Sequence, residues 1–233
     1  VAIPSPAHIV DVHANTAGPD FMPEMSFLTA DVATSRPVTV HPGAVRHPPL
    51  RPRRVFRCDR SMPLYALGEK RPVIDPTAFV HPDAVLIGDV TIGAESSVWP
   101  TAVLRGDHGA IRVGAQTSVQ DGAIVHCTRV LDTVIGDRCV VGHNVHLEGC
   151  TIEDDCLIGS GAVVLHRVVV HRYALVGAQA MVTNDTVVPS FAMALGVPAK
   201  IKPDMVTPGD FDDAVTVYVH NAHWYNADLR RID

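Results

Sequence analysis

The chain has no excess of positive charge, no long apolar run and no paired-cysteine motif, and each lack removes a class of function. Its 233 residues carry a formal net charge of −6. Without a basic footprint, nucleic acid and anionic membrane surfaces are poor partners, and small molecules or protein are better ones. No stretch approaches the roughly 18 apolar residues of a membrane-spanning helix. The amino terminus lacks the basic-then-apolar pattern of a secretory signal, so a cytoplasmic location is expected. Cys58, Cys127, Cys139, Cys150 and Cys156 are odd in number and irregular in spacing. With no C-x-x-C pair among them, they read as reduced, packed thiols rather than a zinc knuckle or redox couple.

The length suits one domain with a sizeable core and an appendage. Residues 1–61 are rich in proline, arginine and histidine, as in "VHPGAVRHPPLRPRRVFRCDR", and show no sustained apolar period. Such a segment cannot bury enough surface to order itself, and a disordered leader is expected. Its histidines, His8, His13, His41 and His47, are too scattered for a metal tract. Met62, in "SMPLYALG", reads as an alternative start.

Over residues 62–205 neither a helical nor a simple strand period holds. Aliphatic residues fall at Val80, Leu86, Ile92, Val98 and Leu104, and resume after an insertion at Val113, Val119 and Val125. After a second insertion they stand at Ile135, Val141 and Leu147, then shift by one and run every sixth residue from Ile152 to Val188. Small residues recur four places later, as at Ala84, Ser96, Ala102, Ala123 and Ala162. A step of six is the rhythm of a hexapeptide-repeat β-helix, one short strand plus a corner per step. An ordinary sandwich would space its strands by about 8 to 12 residues. The register resembles that of left-handed parallel β-helices, an all-β fold whose flat aliphatic outer faces pack as trimers. Residues 206–233 read as a C-terminal α-helix packing on the β-helix. Asp210 is expected to cap it, arginines to close it, and Val215, Val219, Ala222 and Tyr225 to form its buried stripe, with His220 and His223 in surface or packing roles.

Three stretches carry a more specific likeness: "VWPTAVLRGDHGAIRVGAQTSVQDGAIVH", "VIGDRCVVGHNVHLEGCTI" and "GVPAKIKP". Together they resemble the gamma-class carbonic anhydrases and their relatives, from about Met62 onward. The resemblance implies a metal, zinc with cobalt or ferrous iron as alternatives, held by three histidines at a subunit interface of a homotrimer. Two of those positions map onto His126 and His143. The third holds Glu148, a departure that leaves two imidazoles and a carboxylate, still a sound zinc set. The resemblance further assigns Arg105 and Asp107 to an inter-subunit ion pair, Gln120 and Asp121 to orienting water and substrate, and His108 to moving protons. Where relatives often have asparagine, Ser118 stands two residues before Gln120. The implied reaction is reversible hydration of CO2 to bicarbonate by metal-bound hydroxide, weakened or lost because of Glu148. An acyltransferase built on the same coil, and a non-catalytic metal-binding trimer, are the alternatives.

Periodicity alone places His126 after Val125 and Glu148 after Leu147, equivalent positions on consecutive coils and about one strand spacing apart. Arg105 falls in the same column one coil below. His143 belongs to a different side of the triangle, so a neighbouring copy is expected to present it. His146 lies about 10 Å along the chain from His143 and is read as a flanking residue. His166, one coil above Glu148, is a weaker outside candidate, and His81 and His171 read as corner residues.

Overall fold

A computed structural model describes residues 63–233; the expected leader, Cys58 and Met62 lie outside the described residues. Every aliphatic position of the six-residue rhythm from Val80 to Val188 is buried in one continuous core. The strands are mostly two residues long, with the hexad aliphatic inward and its neighbour outward, as in Val163–Val164, Val169–Val170 and Leu175–Val176. The small residue four places on closes the corner, and Ala84, Ala102, Ala123 and Ala162 are fully buried there. Val164 pairs in parallel with Val182, so one turn takes 182 − 164 = 18 residues, three hexads. The result is a left-handed parallel β-helix of hexapeptide repeats with one C-terminal helix.

Each turn contributes one strand to each of three faces. The first face stacks parts of Val85–Ile92 and Val103–Val113 with Ile124–His126, His146–Glu148, Val163–Val164 and Met181–Val182. The third face runs from Phe79–Val80 through Ser118–Val119 and Val140–Val141 to Met193–Leu195, where Lys200–Lys202 adds in antiparallel fashion. Corners repeatedly hold a non-glycine residue in the left-handed region, among them Thr101, Asn144 and Gln179. Beneath Asn144 the corner is a glycine, Gly122 at φ +69°, and an added Cβ there would displace the Asn144 side-chain amide.

The first insertion breaks the rhythm at a useful place. Gly88 pairs with Gly106 and Val90 with Ile111, so Asp107 to Ala110 bulge out opposite Asp89 alone. The second insertion forms the loop after His126. There Thr128 N–H donates to the Leu131 carbonyl (2.9 Å) and Ala110 N–H to Asp132 Oδ1 (2.7 Å), tying the two insertions together.

The helix spans Asp212–Asp228 and docks on the third face. Val215 and Ala222 are buried, and Tyr218 and Tyr225 pack with Phe79 and Trp99. Tyr218 belongs to a stripe that the sequence had assigned partly to Val219, which stays half-buried. The expected capping is corrected. Phe211 occupies the cap position with no side-chain bond, because Asp210 Oδ2 is taken by Thr207 N–H (2.8 Å) in the preceding turn. The closing arginines are corrected too, since Arg230 and Arg231 lie past the helix end and its last turn has no basic residue. The helix is fastened instead by tertiary contact, with Asp212 ion-paired to Arg138. His220 is exposed and His223 reaches Glu95 (3.2 Å). Among the described residues no helix is long and apolar enough to cross a membrane, and Cys127, Cys139, Cys150 and Cys156 are free and buried.

Candidate metal centre

The parallel ladder sets Arg105 beside His126 and His126 beside Glu148 on successive coils of the first face. Because the aliphatic before each points inward, all three side chains point out. His126 Nδ1 stands 2.9 Å from Glu148 Oε1, and its Nε2 stands 3.2 Å from Asp107 Oδ1. Asp107 reaches this point from the bulge and is itself paired with Arg105 of the same strand. A neutral imidazole has one N–H, whereas both of its nitrogens here face carboxylate oxygens. One of the two contacts therefore requires an added proton or a cation. Burial pushes the Glu148 carboxyl up, but hydrogen bonds from His126 and His146 and the charges of His126 and His166 outweigh it and hold the group below the ordinary range. Asp107 behaves alike: burial raises it, and bonds from His126, Arg105 and the His108 N–H prevail.

Two further histidines converge on Glu148. His146 Nε2 lies 3.4 Å from Oε2, on the same strand and the same face two residues earlier. His166 Nε2 lies 3.7 Å from Oε1, beyond hydrogen-bond reach, and is buried without a partner. Reading His146 only by its distance from His143 missed this, although period-2 alternation puts residues 146 and 148 on one face. The room for His166 comes from Gly149, whose φ is +61° and where a Cβ would stand 3.2 Å from His166 Cδ2.

The other expected residues sit elsewhere. His143 lies at the next corner, where its Nδ1 meets Asp121 Oδ2 (3.0 Å) and both side chains are about half exposed. Asp121 in turn neighbours Tyr218, whose hydroxyl is pushed up by burial and by that carboxylate. Gln120 is buried, its N–H bonded to the Val141 carbonyl (2.9 Å). The Ser118 hydroxyl accepts Trp99 Nε1–H (3.0 Å), so it serves helix docking. His108 is exposed on the bulge, with its carbonyl held by Lys70 Nζ (2.5 Å). Of the eight expected site residues, the single chain gathers Arg105, Asp107, His126 and Glu148, pairs Asp121 with His143 apart from them, and leaves Gln120 and His108 separate. His81 accepts Asp83 N–H (3.1 Å) and His171 meets Glu153 (3.0 Å), both at corners.

Comparison with known proteins decides the family. The profile described as "Bacterial transferase hexapeptide (six repeats)" matches residues 132–164 and 149–184. Gamma carbonic anhydrase 2, mitochondrial, of Arabidopsis thaliana is 44% identical over 147 residues, covering 60% of this chain and 53% of that protein. Carnitine operon protein CaiE of Escherichia coli is 40% identical over 139 residues, covering 60% of this chain and 71% of that one. The chain belongs to the gamma carbonic anhydrase-like family of hexapeptide-repeat proteins. The crystal structure of a hexapeptide transferase family protein from Anaplasma phagocytophilum superposes with a TM-score of 0.65 at 32% identity, covering 70% of this chain and 97% of that one. The chain spans about half the length of the plant carbonic anhydrase it matches.

Membership in the gamma carbonic anhydrase-like family implies a metal cofactor. Among the described residues of the single chain no group of three or more His, Cys, Asp or Glu side chains stands close enough together to hold an ion. The donors around Glu148 nevertheless fit one: imidazole nitrogens and a carboxylate oxygen, an imidazole–carboxylate pair short of a proton, and an orphaned buried ring nitrogen. Such a mixed nitrogen and oxygen set suits zinc and its first-row neighbours.

Proposed function

We propose that this protein hydrates CO2 reversibly at a divalent metal held by His126 and Glu148, with His143 lent by a neighbouring copy in a homotrimer. The observation that carries the reading is the His126–Glu148 pair, stacked by the ladder at 2.9 Å with Asp107 on the far nitrogen. A divalent ion supplies Lewis acidity that makes water nucleophilic near neutral pH. The chain's own residues do the rest. Asp107 accepts the single N–H left to a ligating His126, at Nε2, and fixes the ring and tautomer, as the outer partner of a ligating histidine usually does. Arg105 neutralises Asp107, and in the trimer the same pair lies at the edge between copies. Asp121 orients His143 through Nδ1, leaving Nε2 free to face outward. Gln120 and Asp121 flank that corner as amide and carboxylate, a donor and acceptor pair suited to aligning water. His108, exposed on the bulge, is placed to exchange protons with solvent. The trimer reading draws on the outward side chains of the first face, where Ile124 and Met181 are exposed in the same column as His146.

The carboxylate at 148 lowers the ion's net charge relative to three imidazoles, so activity should be weak. Stopped-flow hydration assays on protein loaded with zinc, cobalt or ferrous iron test this. Glu148→Ala and His126→Ala should abolish the metal-dependent rate, and Glu148→His should raise it by about tenfold or more, since 1.4 kcal/mol of transition-state charge stabilisation suffices. No rise in a loaded, folded Glu148→His protein counts against a ligand role for Glu148. Acyl transfer is the second reading, favoured by the transferase structure that shares the fold. Coenzyme A binding in a titration would support it in place of hydration.

A further inference from the structure

This inference rests on the metal reading above. We propose that His166 supplies an additional imidazole to that ion from within the chain, so that three of its donors, His126, Glu148 and His166, come from one copy. Three observations converge on it. First, His166 Nε2 is buried and has no partner, yet it points at Glu148 Oε1 from 3.7 Å. Second, that same oxygen stands 2.9 Å from His126 Nδ1. Donors each about 2.0–2.1 Å from a tetrahedral ion lie roughly 3.3 Å apart, so these separations straddle the value for ligands sharing a metal. Third, the backbone that carries His166 is tied on both sides of its turn.

That placement comes from the backbone. Gly149 leaves the space the ring occupies, its absent Cβ being the atom that would crowd Cδ2 at 3.2 Å. Arg167 N–H donates to the Gly149 carbonyl (2.7 Å), and the His166 carbonyl accepts Asp185 N–H (3.0 Å) on the other side of the turn. Arg167 and Asp185 close the turn with a two-pronged ion pair at 2.6 and 2.8 Å. His146 takes the second carboxylate oxygen, Oε2, at 3.4 Å. Oε1 is thereby left to face His126 and His166. The histidine lost at position 148 is thus replaced from the next coil, and His146 acts as a positioning residue for Glu148.

Zinc titration of the full chain, with a competing chelator, and X-ray absorption of the zinc-loaded protein test the proposal. Loss of an outer partner of a ligand already costs roughly 10–100-fold in metal affinity, so His166→Ala should cost about 100-fold or more. It should also lower the imidazole count around zinc by one. His166→Asn, which keeps a polar group at the turn, should behave the same and guards against misfolding as the cause. His146→Ala should leave the imidazole count unchanged. If His166→Ala and His166→Asn bind zinc with unchanged affinity and imidazole count while His126→Ala loses it, the role of His166 is overturned and the metal reading stands. If the wild-type chain binds no zinc at all, both fall.

Discussion

Glu148 shows how one substitution is absorbed by its surroundings. A carboxylate on an outer face of a β-helix is ordinarily a solvated surface group; here three imidazoles lie within 3.7 Å of it. The glycine that follows makes the room for one of them, His166. Gly149→Ala puts a Cβ at φ +61°, 3.0 Å from Leu131 Cβ as well as against His166. Left-handed backbone alone costs an L-residue roughly 1–2 kcal/mol. The variant should lose at least about that much in urea denaturation, and a loss under about 0.5 kcal/mol would show that the turn relaxes freely. The neighbouring Cys150 is pushed up to about 12 by burial. A thiol so placed is inert near neutral pH. Iodoacetamide should label Cys150 only on the unfolding timescale, as mass spectrometry of partially denatured samples can follow. The family resemblance singled out His126, Glu148 and Arg105, and one rhythm set them in a single column, as the ladder does. Residue-level sequence reasoning passed over His146 because distance to a single partner, His143, was used in place of strand parity. It placed His166 one coil above Glu148 but not its ring against Gly149, because the corner that brings the ring back depends on a backbone turn that no periodicity records.

At the scale of elements, strands were more legible than the helix. A six-residue step leaves one arrangement for its strands, and the aliphatic rhythm is buried as that arrangement requires. The helix Asp212–Asp228 is different, since neither a capping bond nor a basic last turn defines it. Its place is set by an aromatic cluster drawn from both sides: Phe79 and Trp99 on the coil, Tyr218 and Tyr225 on the helix, with ring centroids 5.0 Å apart for Trp99 and Tyr225. Trp99 also donates Nε1–H to Ser97 Oγ (2.9 Å) and Ser118 Oγ (3.0 Å). The small serines make the socket for the indole, which explains Ser118 as a docking residue. Trp99→Ala removes the centre of the cluster and strands two buried hydroxyls, at a cost of about 3–5 kcal/mol. The helix should then exchange amide hydrogens faster than the coils do. Unchanged helix protection in Trp99→Ala would mean that the remaining contacts, Arg138 with Asp212 among them, suffice.

For the whole molecule, stability is a stack of nearest-neighbour coil contacts, and charge pairs on its faces make that stack sensitive to acid. Asp89 is held below the ordinary carboxylate range first by its hydrogen bonds to Arg112, at 2.6 and 3.2 Å, against a modest push from burial. This pair spans the position where the Asp107 bulge interrupts the ladder. Glu153 is likewise depressed, first by the Arg172 N–H (3.0 Å) and, after burial's opposing push, by His171. A carboxyl whose folded value lies below its unfolded value of about 4 is protonated first in the unfolded chain. The stabilisation is therefore complete above that value and is lost as pH falls through the folded one. Urea midpoints should hold steady from about pH 7 to about pH 5 where these carboxylates are concerned, then decline steeply below about pH 4. Asp89→Asn removes one proton uptake and should flatten the decline while lowering the midpoint near neutrality, by no more than about 1 kcal/mol because the pair is substantially exposed. An acid slope identical in Asp89→Asn and wild type would place the acid-sensitive contacts elsewhere, with the Asp107 and Glu148 carboxylates around His126 the next to substitute.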